Sequence, residues 1–287
     1  MKHWFAAGLL SASIAASMTA QAQEEIQHQG LFADWYAGDS STAVIVLHGT
    51  LAHKRMEIIE TFASLLNEDY DFPVLAPNLA LNQPDRPGMI DCAIPHDHTH
   101  MEAVDELTQW VSWLEGQGYE QIAIMGHSRG GAQVAAYLQN ASNSVMAAGL
   151  VAPATYDAEK SAKGYQEATG QSLDTLLEKA QGMAADAQMN VPRFVYCDDA
   201  TVTAKAFIGY HSPNKDFDTP TLLTQVKVPV QVFIGSEDKV VEGLDEKLEA
   251  IQPGGELASV TIDGADHFFR DLYADDVIAE FAEFLDR

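Results

Sequence analysis

Gly126-His127-Ser128-Arg129-Gly130 follows the apolar run Gln121–Met125 and precedes the small-residue helical stretch Ala132–Leu138. A serine with glycine two residues away on either side, placed between a strand and a helix, fits a strained turn. Such a turn lifts the hydroxyl above the edge of a sheet. Side chains at 126 and 130 would collide across so tight a bend, and Gly131 lets the helix lie close to the strand. A serine hydroxyl is a poor nucleophile until a base takes its proton. The chemistry implied is therefore acyl transfer, with a base supplied from elsewhere in the chain. The plain alternative is a glycine-rich turn with an idle serine, and the strand and helix on either side weigh against it. Pro95-His96-Asp97-His98-Thr99-His100 is the second cluster, with three histidines and an acid that could ligate a metal. No second ligand cluster appears, and Thr99 reads as a helix start. The plainer reading is a loop entering a helix, with His96 or His98 near the mouth of a site. No metal ligand and no cofactor is assigned.

With these motifs in view, the chain from about Thr42 to Arg287 resembles the serine hydrolases of the α/β-hydrolase fold, the esterase- and lipase-like enzymes. The resemblance implies a triad in the order serine, acid, histidine. Ser128 matches the nucleophile. Asp238, in Gly235-Ser236-Glu237-Asp238-Lys239-Val240, matches the acid, with the adjacent Glu237 as its rival. His267, in Asp263-Gly264-Ala265-Asp266-His267-Phe268-Phe269, matches the histidine. Both segments follow apolar runs, at the strand ends where open α/β sheets place their sites. His267 is then the base that returns its proton to the leaving group, and Asp238 holds its tautomer. The oxyanion donors implied are the backbone N–H groups of Arg129 and of Thr50, the latter in the turn after His48-Gly49. The activity implied is hydrolysis of a carboxylic ester through an acyl-enzyme intermediate. Peptidase or amidase, thioesterase and cofactor-free peroxidase-like reactions are rivals on the same fold. A non-catalytic ligand-binding relative and a periplasmic metal-binding protein using the His96–His100 run are the readings from other classes.

These residues need a scaffold, and the pattern around them supplies one. Thr42–Leu47, Phe72–Pro77, Gln121–Met125, Val145–Val151, Val228–Ile234 and Ser259–Ile262 read as buried strands. Helical spacing joins Met56 to Leu66, Met101 to Leu114, Leu244 to Ile251 and Val277 to Leu285. Thr99-His100-Met101-Glu102 fits a capping box ahead of the second of these. Leu31–Asp39 reads as an antiparallel edge. The alternation predicts a mostly parallel sheet flanked by helices, and the resemblance implies that this is the α/β-hydrolase fold. From about Pro153 to Pro220 the rhythm breaks, with one amphipathic helix around Leu173–Ala184 and a short strand at Arg193–Tyr196. This stretch is expected as a cap inserted between the sixth and seventh core strands of a single domain, residues 23–287. It is rich in Ala, Met, Tyr and Phe, which suits an apolar pocket.

Composition narrows the partners. The chain has 287 residues, 42 of them Asp or Glu against 16 Lys or Arg, a formal charge of −26. So acidic a chain lacks the clustered bases a nucleic-acid partner requires, and it should repel anionic substrates. A small neutral ester is therefore the expected partner. Met1-Lys2-His3, the apolar Trp4–Ala16 and the small-residue end Ala20-Gln21-Ala22 have the layout of an export signal over residues 1–22. Its removal takes Lys2 and leaves −27, with no later run able to span a membrane. The expected location is periplasmic or secreted. In an oxidising compartment the two cysteines, Cys92 and Cys197, are expected to pair.

Overall fold

The apolar runs assemble into one sheet around which the rest of the chain is wound. The computed structural model describes residues 23–287, so the expected export signal lies outside the described residues. In chain order the first half comprises β1 (Glu24–His28), β2 (Leu31–Tyr36), β3 (Thr42–Leu47), α1 (Glu57–Glu68), β4 (Val74–Pro77), α2 (Glu102–Gly116), β5 (Gln121–His127), α3 (Arg129–Tyr137) and β6 (Val145–Val151). There follow α4 (Ala158–Thr169), α5 (Leu173–Gln181), β7 (Gln188–Phe194), β8 (Cys197–Thr203), α6 (Ala204–His211) and α7 (Thr219–Leu223). The chain closes with β9 (Val230–Gly235), α8 (Leu244–Glu249), β10 (Leu257–Ile262) and α9 (Leu272–Leu285).

The sheet order is β1-β2-β4-β3-β5-β6-β9-β10. From β4 to β10 the neighbours run parallel; β2 is antiparallel to both β1 and β4. The expected α/β-hydrolase fold is what forms. β3 shows why it needs helices on both sides. Its Ile45 and Leu47 join one apolar core with Leu107, Trp110 and Val134 of α2 and α3. Its Val44 and Val46 join the opposite core with Phe62 of α1 and Phe281 of α9. Successive side chains in a strand point to opposite faces, so a strand buried on both must be apolar throughout.

Three expectations need correction. β2 is antiparallel, but it is not the edge, because the short β1 covers it. β1 carries Glu24, Glu25, Gln27 and His28 and has no apolar alternation to betray it. Thr99 and Glu102 do not make a capping box: α2 starts at Glu102, after Met101 in helical conformation and without a side-chain cap. Thr99 is used instead for packing against Gly209 of α6, where a methyl group would stand 2.7 Å from its Cγ2. Arg193–Tyr196 is not one strand. β7 ends at Phe194, Val195 takes a left-handed backbone (φ 58°), and β8 turns back antiparallel from Cys197.

The hairpin β7–β8 does not stand apart from the sheet's loops. His96 lies beside Val202, its N–H donating to Thr201 O and its carbonyl accepting from Thr203 N–H, each at 2.9 Å. Cys92 and Cys197 are disulfide-bonded a few residues away, with their Cα atoms 5.3 Å apart. The pairing expected of the two cysteines is therefore present.

Candidate active site

Ser128 sits between the end of β5 and the start of α3 with φ 55° and ψ −121°, a conformation that costs a side-chain-bearing residue about 1–3 kcal/mol. The surroundings enforce it. Ser128 N–H donates to Val151 O at 2.8 Å, and its carbonyl accepts from Gly131 and Ala154, each at 3.0 Å. A methyl group at Gly126 would stand 2.7 Å from Gly130 O, the collision across the turn that its glycine avoids. Gly130 is glycine for a different reason: its methyl would lie 2.4 Å from the carbonyl of His48, in the turn that follows β3.

Asp238 follows β9 and His267 follows β10, so both reach the same sheet end as Ser128. His267 Nδ1 lies 2.8 Å from Asp238 Oδ2, and His267 Nε2 lies 3.0 Å from Ser128 Oγ. A carboxylate can only accept, so Nδ1 carries the proton and Nε2 is left to accept from the hydroxyl. Asp238 and His267 are both buried. Burial alone would raise the Asp238 carboxyl. The hydrogen bond from His267 and the N–H groups of Val241 and Val240 outweigh it and hold the carboxyl below its usual range. The rival Glu237 is exposed and pairs with Lys239 at 3.4 Å.

Thr50 and Arg129 also meet here. Arg129 is the first residue of α3, so its N–H is one of the four that lack an intrahelical acceptor. Its side chain donates through Nε to Thr50 Oγ1 at 3.2 Å. The His48–Ala52 turn that carries Thr50 is pinned by Arg86, whose buried guanidinium donates to the carbonyls of Ala52 and Leu79 and to His48 Nε2. Burial and the Arg86 charge push the His48 imidazole down to about 3, so it stays neutral and serves as that acceptor. Ser128, His267 and Thr50 open on a cleft of about 250 Å³, mostly apolar, walled by Met56, Met89, Tyr196 and Phe268.

A sequence profile described as the alpha/beta hydrolase family matches residues 44–284. The chain belongs to that family. No curated protein matches the chain. Among solved structures, this alpha/beta hydrolase is similar to Est1E from Butyrivibrio proteoclasticus, with a TM-score of 0.61 at 16% identity over 92% of this chain and 99% of that one. It is similar to a monoacylglycerol lipase from Paleococcus ferrophilus, with a TM-score of 0.61, 16% identity and coverage of 89% and 98%. A Pyrococcus furiosus esterase gives 0.61 at 17% identity over 93% and 90%. At such identities the likeness shows the fold.

The histidine run of this hydrolase does not sit as expected. His96 and His98 are fully buried rather than at a mouth. His96 packs on Phe194, with ring centres 5.1 Å apart, and His98 Nδ1 meets the Tyr210 hydroxyl at 2.9 Å. His100 is the one that reaches the site: its Nδ1 accepts from Arg129 Nη1 at 3.3 Å. Burial lowers all three, His98 to about 3, so none is charged near neutrality. Among the described residues, no three His, Cys, Asp or Glu side chains are grouped to hold a metal ion. Sequence reasoning missed His127 and Arg86. His127 Nε2 donates to the His267 carbonyl at 2.8 Å. Neither residue carries a sequence signal beyond lying in or near a motif.

Proposed function

We propose that the chain is a serine hydrolase that cleaves a carboxylic ester through an acyl-enzyme intermediate. The observation that carries this reading is the continuous hydrogen-bonded line Ser128–His267–Asp238, built on a strained serine beside a mostly apolar cleft. In the proposed reaction Ser128 Oγ attacks the ester carbonyl as its proton passes to His267 Nε2. Asp238 stabilises the imidazolium. The tetrahedral oxyanion is held by the backbone N–H groups of Arg129 and Thr50. Collapse breaks the ester bond, and the alkoxide leaves with the His267 proton. Water, deprotonated by the same imidazole, then frees the acid and restores Ser128. We further place the enzyme outside the cytoplasm, in periplasm or medium; the Cys92–Cys197 bridge supports an oxidising compartment.

The test is direct. The purified protein should hydrolyse p-nitrophenyl acetate or butyrate and be labelled by a fluorophosphonate at Ser128. Ser128→Ala should abolish both. Folded protein that escapes labelling between pH 7 and 9 would overturn the reading. Faster turnover of matched amides or thioesters than of esters would replace the ester substrate by one of those classes. Fractionation with intact-mass analysis tests the compartment.

A further inference from the structure

Arg129 carries a charge that nothing in the described protein neutralises. Its guanidinium meets only neutral partners: Thr50 Oγ1 at 3.2 Å, His100 Nδ1 at 3.3 Å and the Tyr210 ring, whose centre is 5.4 Å from Cζ. No carboxylate pairs with it among the described residues, although the chain has 42 Asp and Glu. Such a partly buried arginine normally has an acid for company.

Arg129, His100 and Tyr210 wall a second cavity, of about 370 Å³, which meets the apolar cleft at Val240. His100 adds an independent observation. It is 1% exposed, and its Nε2 has no hydrogen-bond partner. Because Arg129 donates to Nδ1, the imidazole proton sits on Nε2, so the orphan atom is a donor. A buried donor without an acceptor costs about 1–3 kcal/mol, but this atom is sealed from the cavity, and His100 shapes the site through the Nδ1 contact that holds Arg129. His211, on the same cavity, likewise has an unpartnered Nε2. At the rim the charges are mixed. Lys160 and Lys247 stand there with the carboxylates of Asp157 and Glu242, and Asp157 is occupied in capping α4. The interior therefore presents the Arg129 guanidinium and with it one net positive charge.

We propose that this cavity binds a carboxylate carried by the substrate, so that the enzyme hydrolyses an anionic ester with its reacting carbonyl at Ser128 and its apolar part in the cleft. The proposal rests on the ester-hydrolase reading and gives it a substrate class. It departs from the neutral ester that overall charge suggests, because an ion inside a cavity responds to the nearest donors far more than to distant surface charge. The planar fork of an arginine and a single net charge suit a planar monoanion better than a doubly charged phosphate.

The test compares acids with their own amides, which differ in charge and little in shape. One pair puts the carboxylate on the acyl side, mono-p-nitrophenyl glutarate against p-nitrophenyl glutaramate. The other puts it on the alcohol side, 4-(butyryloxy)benzoate against 4-(butyryloxy)benzamide. Wild-type kcat/KM should favour the acid at least about tenfold in one pair, the scale of one charge-assisted bond. The ratio should fall to within about twofold in Arg129→Met, which keeps the backbone N–H, with Arg129→Lys between the two. If Arg129→Met does not fold, His100→Leu serves, and there too the ratio should drop. Equal rates for acid and amide in both pairs would overturn the proposal. If no ester is cleaved and Ser128 is not labelled, the hydrolase reading fails separately. The cavity is then judged by calorimetry with glutarate on Ser128→Ala protein. Binding that weakens at least about tenfold on adding Arg129→Met supports the carboxylate site; no binding overturns it.

Discussion

His127 donates its Nε2 proton to the backbone carbonyl of His267 across 2.8 Å, tying the residue before Ser128 to the loop that carries His267. Burial, reinforced by the nearby His267, pushes the His127 imidazole down to about 4, so it remains a neutral single donor at working pH. The bond joins the ends of β5 and β10, strands that are not neighbours in the sheet.

His127→Phe keeps an aromatic ring and removes the donor. We expect kcat to fall about tenfold, because loss of a positioning bond loosens the base, and KM to change less, because the ring that lines the cleft is kept. Fluorophosphonate labelling of Ser128 should slow in proportion. A folded variant with unchanged kcat and labelling rate would show that the loop holds His267 without help.

Asp238→Asn should leave the fold in place and lower kcat about 10³- to 10⁴-fold, since an amide stabilises neither the required tautomer nor the imidazolium. The pH dependence of stability has a defined sign. The Asp238 carboxyl is held below its ordinary value of 3.8 in the folded chain. Its contribution is therefore complete above that value and is lost as pH falls through the lower, folded one. Melting temperatures of wild type and variant should differ at pH 6 and converge as the solution is taken below about pH 4.

The Ser128 turn was legible because it announces itself locally: two glycines, a strand before and a helix after. Asp238 and His267 were readable from chain order within a resembled family, and the structure brings both to Ser128. The supporting residues were not readable. Arg86 meets Ala52 and His48, and His127 meets His267, through contacts 34, 38 and 140 residues apart. No local periodicity encodes such a contact. α4 was missed because it buries little beyond Tyr165 and so carries no apolar stripe. The Thr99 capping signal failed because packing against α6 took its side chain.

The Cys92–Cys197 bridge closes a loop of 105 residues that contains the Ser128 turn. The chain-entropy account assigns such a loop roughly 4–5 kcal/mol. For a domain of this size that corresponds to a fall of roughly 10 °C or more in Tm on reduction or in Cys92→Ser/Cys197→Ser. Activity should suffer too. Tyr196, next to Cys197, walls the cleft and donates its hydroxyl to Leu51 O at 3.1 Å. A higher KM is expected in the double variant well below its Tm. An unchanged melting curve with two titratable thiols would show that the cysteines are not joined.

Glu106 is a buried carboxylate on α2 that accepts the Ala80 N–H at 2.9 Å and has no salt-bridge partner among the described residues. Burial raises its carboxyl to about 7, against the partial relief given by that N–H. For a raised acid the sign is opposite to that of Asp238. Between about 4.5 and 7 the unfolded chain sheds a proton that the folded chain keeps, so stability falls as pH rises through that window. Glu106→Gln offers Ala80 the same acceptor without the charge. It should therefore match wild type near pH 4.5 and exceed it at pH 8, by at most about 3 kcal/mol at 1.36 kcal/mol per pKa unit. Urea unfolding at the two pH values measures the gap. A gap that does not open between them would mean that Arg86, whose charge favours the ionised form, stabilises the carboxylate in place.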